Sequence, residues 1–313
     1  MKAEISVVIP MYNKEAHIVR CLDSVLGQHH PATEIIVVDD GSTDDSAAVV
    51  ARHYPDQVRL VRTPNSGVSV ARNLGIKLAQ GTHVALLDAD DEWNPHFLSE
   101  MHLLIERFQH CELFGCAYQY CEGDHYTAPK IKDSHKHIHF EITDYFQRIA
   151  RHDLLFNASS VCVAKTLIDR IGYFPQGETM GEDQDLWNRA AIHSRIAYSR
   201  NALAVYHQDS SNRACTALPP AQECPYGKRL MGAASNTQDK ATQAAMLDCT
   251  ANHLLNLVRR NWQAGRWEVC QRLLQDKRVM RLPLKFAVWW VLTHWCRITE
   301  SGLHTRGRAI VSE

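Results

Sequence analysis

Short runs of β-branched and aliphatic residues recur along the first third of the chain, at positions 5–9, 34–38, 58–61 and 84–87. Between them apolar residues return at helical spacing, as with Ile18, Leu22, Val25 and Leu26 on one helix face. Asn13 is placed to cap that helix, Ser42 or Asp44 to cap the next, and Pro95 to open another that runs to Phe108. Strands this apolar are covered on both faces, which predicts a mostly parallel sheet flanked by helices in an α/β domain. The pattern continues with a strand over 113–120, a polar His-rich loop or hairpin over 121–140 and a helix near 144–151. A strand at 161–163, a helix from Asp183 and a strand over 196–206 follow. Positions 210–237 are rich in Ser, Pro, Gly and Asn and predict a long loop, beyond which helical patterns fill 241–261, 266–275 and 284–297. The organisation expected is a catalytic α/β domain over 1–210, a loop over 211–237 and a C-terminal helical region over 238–313.

Ligands of parallel sheets bind at the carboxyl ends of the strands. Pro10-Met11-Tyr12-Asn13 follows the first strand, Asp39-Asp40-Gly41-Ser42-Thr43-Asp44 the second, and Asp88-Ala89-Asp90-Asp91 the fourth. Six acids and an aromatic are thereby expected in one crevice. Crowded carboxylates repel unless a counter-cation joins them or their pKa values rise. Hard oxygen ligands suit Mg²⁺ or Mn²⁺, which combine one or two carboxylates with substrate phosphates.

The blocks from Val7-Val8-Ile9-Pro10-Met11-Tyr12-Asn13 to Ile35-Ile36-Val37-Val38-Asp39-Asp40-Gly41-Ser42-Thr43-Asp44 resemble the opening of family 2 glycosyltransferases, which have the GT-A nucleotide-diphospho-sugar transferase fold. Ser69-Val70-Ala71-Arg72-Asn73-Leu74-Gly75, Leu87-Asp88-Ala89-Asp90-Asp91 and Gly181-Glu182-Asp183-Gln184-Asp185-Leu186-Trp187 continue the family's order. The resemblance covers roughly residues 4–207. It implies a donor site made by Pro10, Tyr12 (base stacking), Asp40 (base hydrogen bond), Arg72 (near base and diphosphate) and Asp88 (ribose), with Asp39 bracing the loop. It further implies that Asp90 and His207 hold the Mn²⁺ or Mg²⁺ ion and that Asp183 is the general base, with Glu182 and Trp187 toward the acceptor. Residues 1–110 would then form the nucleotide-sugar half and 111–210 the acceptor half. Transfer inverts the anomeric carbon in this family. The Gln-x-x-Arg-Trp motif of its processive members is missing here, the corresponding stretch being Leu186-Trp187-Asn188-Arg189-Ala190, so single-sugar transfer is expected.

Each feature has a plainer reading. Asp-x-Asp is a common solvated turn, and acids in a helix's first turn are favoured by the macrodipole alone, which leaves Glu182 and Asp185 as rivals to Asp183. Trp187 could simply pack in the core. Cys111, Cys116 and Cys121 alternate faces of a strand and do not converge, while His135, His137 and His139 read as a surface ladder rather than a zinc site.

Composition narrows the classes. The formal net charge of −1 gives no pull toward nucleic acid. From Arg259 onward, however, eleven Lys/Arg face four acids, +7, against about −8 on the rest. Basic residues mix with Trp289, Trp290 and Trp295 over 281–297, the composition of a helix lying on an anionic bilayer, which suits a lipid-linked saccharide acceptor. Met1 to Glu4 lead directly into the first strand, so no secretory leader is expected, the ten Cys read as reduced thiols, and a cytoplasmic protein is the expectation, with peripheral contact at the inner membrane face. A nucleotidyltransferase or dinucleotide dehydrogenase would need a Gly-rich loop where Pro10-Met11-Tyr12-Asn13 stands. A non-catalytic sugar-nucleotide-binding protein on this scaffold is the remaining alternative, marked by loss of the base or metal acid. Both Asp183 and Asp90 are present.

Overall fold

The structure, a computed structural model, describes residues 3–129, 131, 136–210 and 218–294. The chain divides into two compact units, Met1–Arg213 and Ala214–Glu313.

The first unit alternates strand and helix: β1 (Ile5–Met11), α1 (Ile18–Leu26), β2 (Glu34–Asp39), α2 (Ser46–His53), β3 (Arg59–Arg62), α3 (Val68–Leu78) and β4 (His83–Leu86). Then come β5 (Glu92–Trp93), α4 (Phe97–Arg107), β6 (Cys111–Glu122), β7 (His125–Thr127), β8 (His139–Ile142) and α5 (Tyr145–Ala150). β9 (Val161–Ala164), α6 (Lys165–Ile171), α7 (Glu182–His193) and β10 (Arg195–His207) complete it. One sheet runs β3-β2-β1-β4-β9-β6-β10-β5, with β7 on β6 and β8 on β10. All seven residues of β1 are buried, the consequence of helices on both faces, and β1 pairs in parallel with β2 and β4. Beyond β4 the sheet becomes mixed. β9 is antiparallel to both β4 and β6, while β6 and β10 are parallel. The carboxyl ends of β1, β2, β4, β6 and β10 therefore share one edge, and that edge carries the motif loops.

Two caps differ from expectation. Helix α1 starts only at Ile18, with His17 at its N-cap, and Asn13 sits in the left-handed region at φ 52. Asn tolerates that conformation because its short amide can bond locally. Its Oδ1 accepts from Thr43 N at 2.8 Å and its N–H donates to Ser42 Oγ at 2.9 Å, so Asn13 and Ser42 stitch the loops after β1 and β2 together. Asp44 does serve α2, accepting from Ser46 N at 3.0 Å, although Asp45 occupies the cap position.

In the second unit, α8 (Pro225–Ser235) lies inside the stretch expected to be loop. Its polar composition hid a helical period: Gly227, Leu230 and Ala234 are its buried positions, and Pro225 stands at the start, where a missing N–H costs nothing. α9 (Lys240–Gln263) and α10 (Trp267–Leu274) match the apolar spacing. His253 is locked between Cys224 N at 3.2 Å and Tyr226 Oη at 2.8 Å. Residues 283–294 are helical and leave Leu284, Val288 and Val291 exposed along one stripe. Trp295 and Arg297 of the basic Trp-rich segment, and His135 of the histidine run, lie outside the described residues.

Candidate active site

The edge gathers the acids around two cations. Arg72, on α3, is buried, with 5% of its side chain exposed. Its Nη2 donates to Asp88 Oδ1 at 2.7 Å and its Nη1 to Glu182 Oε1 at 3.1 Å, bridging the loop after β4 to the first turn of α7. Burial disfavours its charge, but the two carboxylates outweigh that and hold Arg72 protonated. Asp183 lies beside this bridge. Loss of water around its carboxyl, reinforced by the Glu182 charge and opposed by Arg72, pushes its pKa up to about 6. Asp185, the third acid of that turn, is buried and paired with Arg189 at 2.7 Å. Arg189 also donates to the carbonyls of Ile171, Gly172 and Tyr173, so the pair clamps the α6–α7 connection. That leaves Glu182 and Asp183 as the acids of α7 in contact with the bridge.

The second cation is Lys14, which sequence reading passed over although it directly follows Asn13. Lys14 Nζ contacts Asp90 Oδ2 at 2.7 Å and Ser210 Oγ at 2.9 Å, and Ser210 Oγ donates to the same carboxylate oxygen at 2.6 Å. Burial pushes the Asp90 carboxyl up, yet these hydrogen bonds win and hold it below the usual carboxylate value. Arg20 Nη2 donates to Asp90 O at 2.6 Å, fixing the loop from the other side. Next to it Asp91 is buried, accepting from Ser159 Oγ and from His207 N, and burial together with Asp88 and Asp90 pushes its pKa well above the usual range. Ser159 also bonds Asp88 N at 3.1 Å. Ser159, Ser210 and Glu92 had no sequence signal, because they become neighbours only through the long crossovers of a mixed sheet.

His207 ends β10. Its Nε2 meets Glu92 Oε1 at 3.2 Å, while Nδ1 is buried without a hydrogen-bond partner and stands 3.8 Å from Asp209 Oδ1. A carboxylate on one ring nitrogen leaves a lone pair on the other, the arrangement typical of a ligating histidine. Asp90 offers a carboxylate and His207 a ring nitrogen without a hydrogen-bond partner, donor types that a divalent ion accepts. Among the described residues, one set of three ligating atoms lies within 4.8 Å of one another, His110, Cys111 and Glu141. That trio sits at the amino end of β6, the opposite edge of the sheet, and Glu141 there is already paired with Arg195 at 3.0 Å.

At the end of β1, Pro10 is paired with Val38 inside the sheet and Tyr12 is 41% exposed. Asp40 N donates to Met11 O at 2.8 Å, so Tyr12, Asp40 and, through Lys14, Asp90 belong to one connected edge. Asp39 accepts from Ser42 N at 3.0 Å and Arg62 Nε at 2.9 Å, a brace as expected. Asp40 is also a brace: its two oxygens accept from Ser66 N and Gly67 N, each at 2.8 Å, holding the turn that begins α3. Its spare lone pairs remain for a ligand. Trp187 does not line an open pocket. It is 1% exposed and packs edge-on against Phe156 and Phe174, so its bulk is committed to the core.

Residues 6–170 match the family model of glycosyl transferase family 2. The glycosyltransferase GlyG of Streptococcus pneumoniae is 32% identical over 222 residues, 68% of this chain and 73% of that protein. An uncharacterized glycosyltransferase of Nostoc sp. is 41% identical over 115 residues, and the matched stretch spans 36% of this chain and 35% of that protein. Among solved structures, residues 1–349 of S. aureus TarS in complex with UDP-GlcNAc give a TM-score of 0.68 at 20% identity, covering 95% of this chain and 92% of that one. The mannosyltransferase PcManGT of Pyrobaculum calidifontis, in complex with GDP-Man and Mn²⁺, gives 0.53 at 17% identity, covering 100% and 81%. With the sheet order, the edge and its motif acids in place, the chain belongs to glycosyl transferase family 2 and has the GT-A fold.

Proposed function

We propose that the enzyme transfers a single sugar, with inversion, from a nucleotide diphosphate sugar to a hydroxyl of a saccharide or glycolipid acceptor, in bacterial surface polysaccharide synthesis. One observation carries the reading. Arg72 joins Asp88 to Glu182 and brings an acid with a pKa of about 6, Asp183, to the loop that bears Asp88 and Asp90. A UDP-sugar is favoured because TarS, similar in fold, binds UDP-GlcNAc, although the GDP-Man of PcManGT marks the nucleotide as the open variable.

In this reading residues 1–110 hold the donor and 111–210 the acceptor. Tyr12 stacks on the base and Asp40 uses its free lone pairs on it, while Asp88 takes the ribose and Arg72 lies by the diphosphate. Asp90 and His207 would hold Mn²⁺ or Mg²⁺, and two protein ligands leave room for diphosphate oxygens and water. The bound ion would neutralise charge developing on the leaving nucleoside diphosphate. Asp183 removes the proton of the acceptor hydroxyl as its oxygen attacks the anomeric carbon and the bond to the diphosphate breaks. A carboxylate with a raised pKa is a stronger base and is still mostly ionised at neutral pH. Glu182 borders the acceptor side.

Peripheral attachment at the cytoplasmic face of a membrane fits the exposed stripe of Leu284, Val288 and Val291, with Lys285 and Arg281 beside it. No helix among the described residues is long and apolar enough to cross a membrane.

The test is turnover of UDP-GlcNAc, by hydrolysis or on a saccharide acceptor panel, with and without Mn²⁺. Turnover that needs Mn²⁺ and is lost in Asp183→Asn and in Asp90→Ala supports the assignment. Full turnover in Asp183→Asn removes the base, and full turnover in EDTA removes the metal. Donor binding without turnover on any acceptor would point to a binding protein.

A further inference from the structure

Lys14 stands out among the described lysines for how little of it meets water, with 10% of its side chain exposed. A buried ammonium is costly unless paired, and this one is paired with the carboxylate assigned above to the metal. The contact closes a triangle: Lys14 Nζ to Asp90 Oδ2 at 2.7 Å, Lys14 Nζ to Ser210 Oγ at 2.9 Å, and Ser210 Oγ to Asp90 Oδ2 at 2.6 Å. Its three corners come from the loops after β1, β4 and β10, so the ammonium joins the donor motifs to the segment following His207. The root of Lys14 is fixed, since its backbone N–H donates to the buried Ser46 Oγ at 2.7 Å. Only the flexible four-carbon stem is left to move.

We infer that Lys14 is a resident counter-cation on Asp90, which a divalent ion must displace from Oδ2, so that metal enters with the nucleotide diphosphate rather than before it. The inference rests on the metal reading of Asp90 given above. An ammonium and a divalent cation cannot share one carboxylate oxygen without strong repulsion. The ammonium satisfies Asp90 Oδ2 through a direct ion pair at 2.7 Å. Other acids of the same loop are already bonded: Asp88 accepts from Arg72, and Asp91 accepts from Ser159 Oγ and His207 N. A diphosphate changes the balance by bringing oxygens for the ion and a new anionic partner for Lys14 within reach of its tethered stem. Lys14 thus acts as a positioning residue that sets the order of binding.

Mn²⁺ affinity, read from the free-ion EPR signal, tests this without reference to turnover. Wild type, Lys14→Met, Lys14→Gln and Asp90→Asn are titrated with Mn²⁺ in the absence and presence of UDP, with thermal unfolding as the check that each variant is folded. Removal of the ammonium charge is expected to tighten Mn²⁺ binding without UDP by about tenfold or more, in either Lys14 variant. With UDP present the advantage should shrink or reverse, and Asp90→Asn should abolish tight binding in both conditions. Unchanged or weaker Mn²⁺ binding by folded Lys14→Met or Lys14→Gln without UDP overturns the inference while leaving the metal reading intact. A wild type that binds no Mn²⁺ even with UDP overturns both.

Discussion

The carboxylates on the sheet edge fall into two groups. Asp39 and Asp40, after β2, are held mainly by backbone N–H groups of Ser42, Ser66 and Gly67, donors that belong to the fold and cannot leave. Asp88, Asp90, Glu182 and Asp183 are balanced by two side-chain cations, Arg72 and Lys14, or, for Asp183, not fully balanced at all. The first group is fixed in place by folding, and only Asp40 keeps lone pairs to offer a ligand. The second is charge held in readiness for a substrate. Acids gathered on one sheet edge, from strand ends and from the first turn of α7, thus divide between shaping the cleft and doing its chemistry, and the division follows from what kind of donor each one meets.

Mutations can break that division. The largest effect is expected at Asp183: Asp183→Asn keeps the shape but not the base, and turnover of UDP-GlcNAc onto an acceptor should fall by roughly 10² to 10⁴. Next comes Arg72→Lys, which retains a charge but loses the fork that reaches Asp88 and Glu182 at once. A fall of about 10² in kcat/KM is expected, the scale seen when one preorganised donor is removed from a developing charge. A rate near wild type for either variant would mean that the second group is structural after all.

Asp39→Ala tests the first group from the other side. The carboxyl is fully buried and its removal strands Ser42 N and frees Arg62. Stability should drop by about 2–3 kcal/mol, read in urea, with a donor KM within a few-fold of wild type for the folded fraction. A rate collapse without a stability loss would place Asp39 in the chemistry and dissolve the contrast.

How far the sequence discloses all this depends on distance along the chain. The parallel block β1 to β4 was legible because each strand is a short apolar run ending in its own motif, so the acids of 39–44 and 88–91 could be placed from one rule about strand ends. The family resemblance supplied Arg72 and the 181–187 block as motifs. Within those motifs Asn73 and Gly75 prove to be packing residues: Asn73 exchanges two hydrogen bonds with the backbone of Phe174, and a Cβ on Gly75 would lie 2.3 Å from a Val8 methyl. No local pattern could distinguish them from Arg72, one and three residues away. Lys14, Ser159, Glu92 and Ser210 stayed hidden because each meets its partners across 68 to 196 residues of chain. Helix α8 was lost to composition, its small and polar residues reading as a loop although the buried positions keep a helical period.

The smallest and sharpest test concerns the cost of keeping Asp183 ready. Its pKa is about 6 in the folded protein against an ordinary 3.8, so the folded state binds the proton more tightly than the unfolded chain does. The stabilising contribution of that proton is complete below about pH 4 and is lost as the pH rises through 6; above that, the ionised carboxylate is a standing penalty. Asp183→Asn lacks the penalty, and its Oδ1 can still accept from Gln184 N as the carboxylate does at 2.7 Å. The variant should therefore be more stable than wild type at pH 7.5, by something on the order of 1–3 kcal/mol or a few degrees in Tm, and equal to it at pH 4. In wild type, the rate should fall as the pH drops below about 6, the same proton now blocking the base. If Asp183→Asn melts lower than wild type at pH 7.5, Asp183 is a brace like Asp39, and the two groups of carboxylates are one.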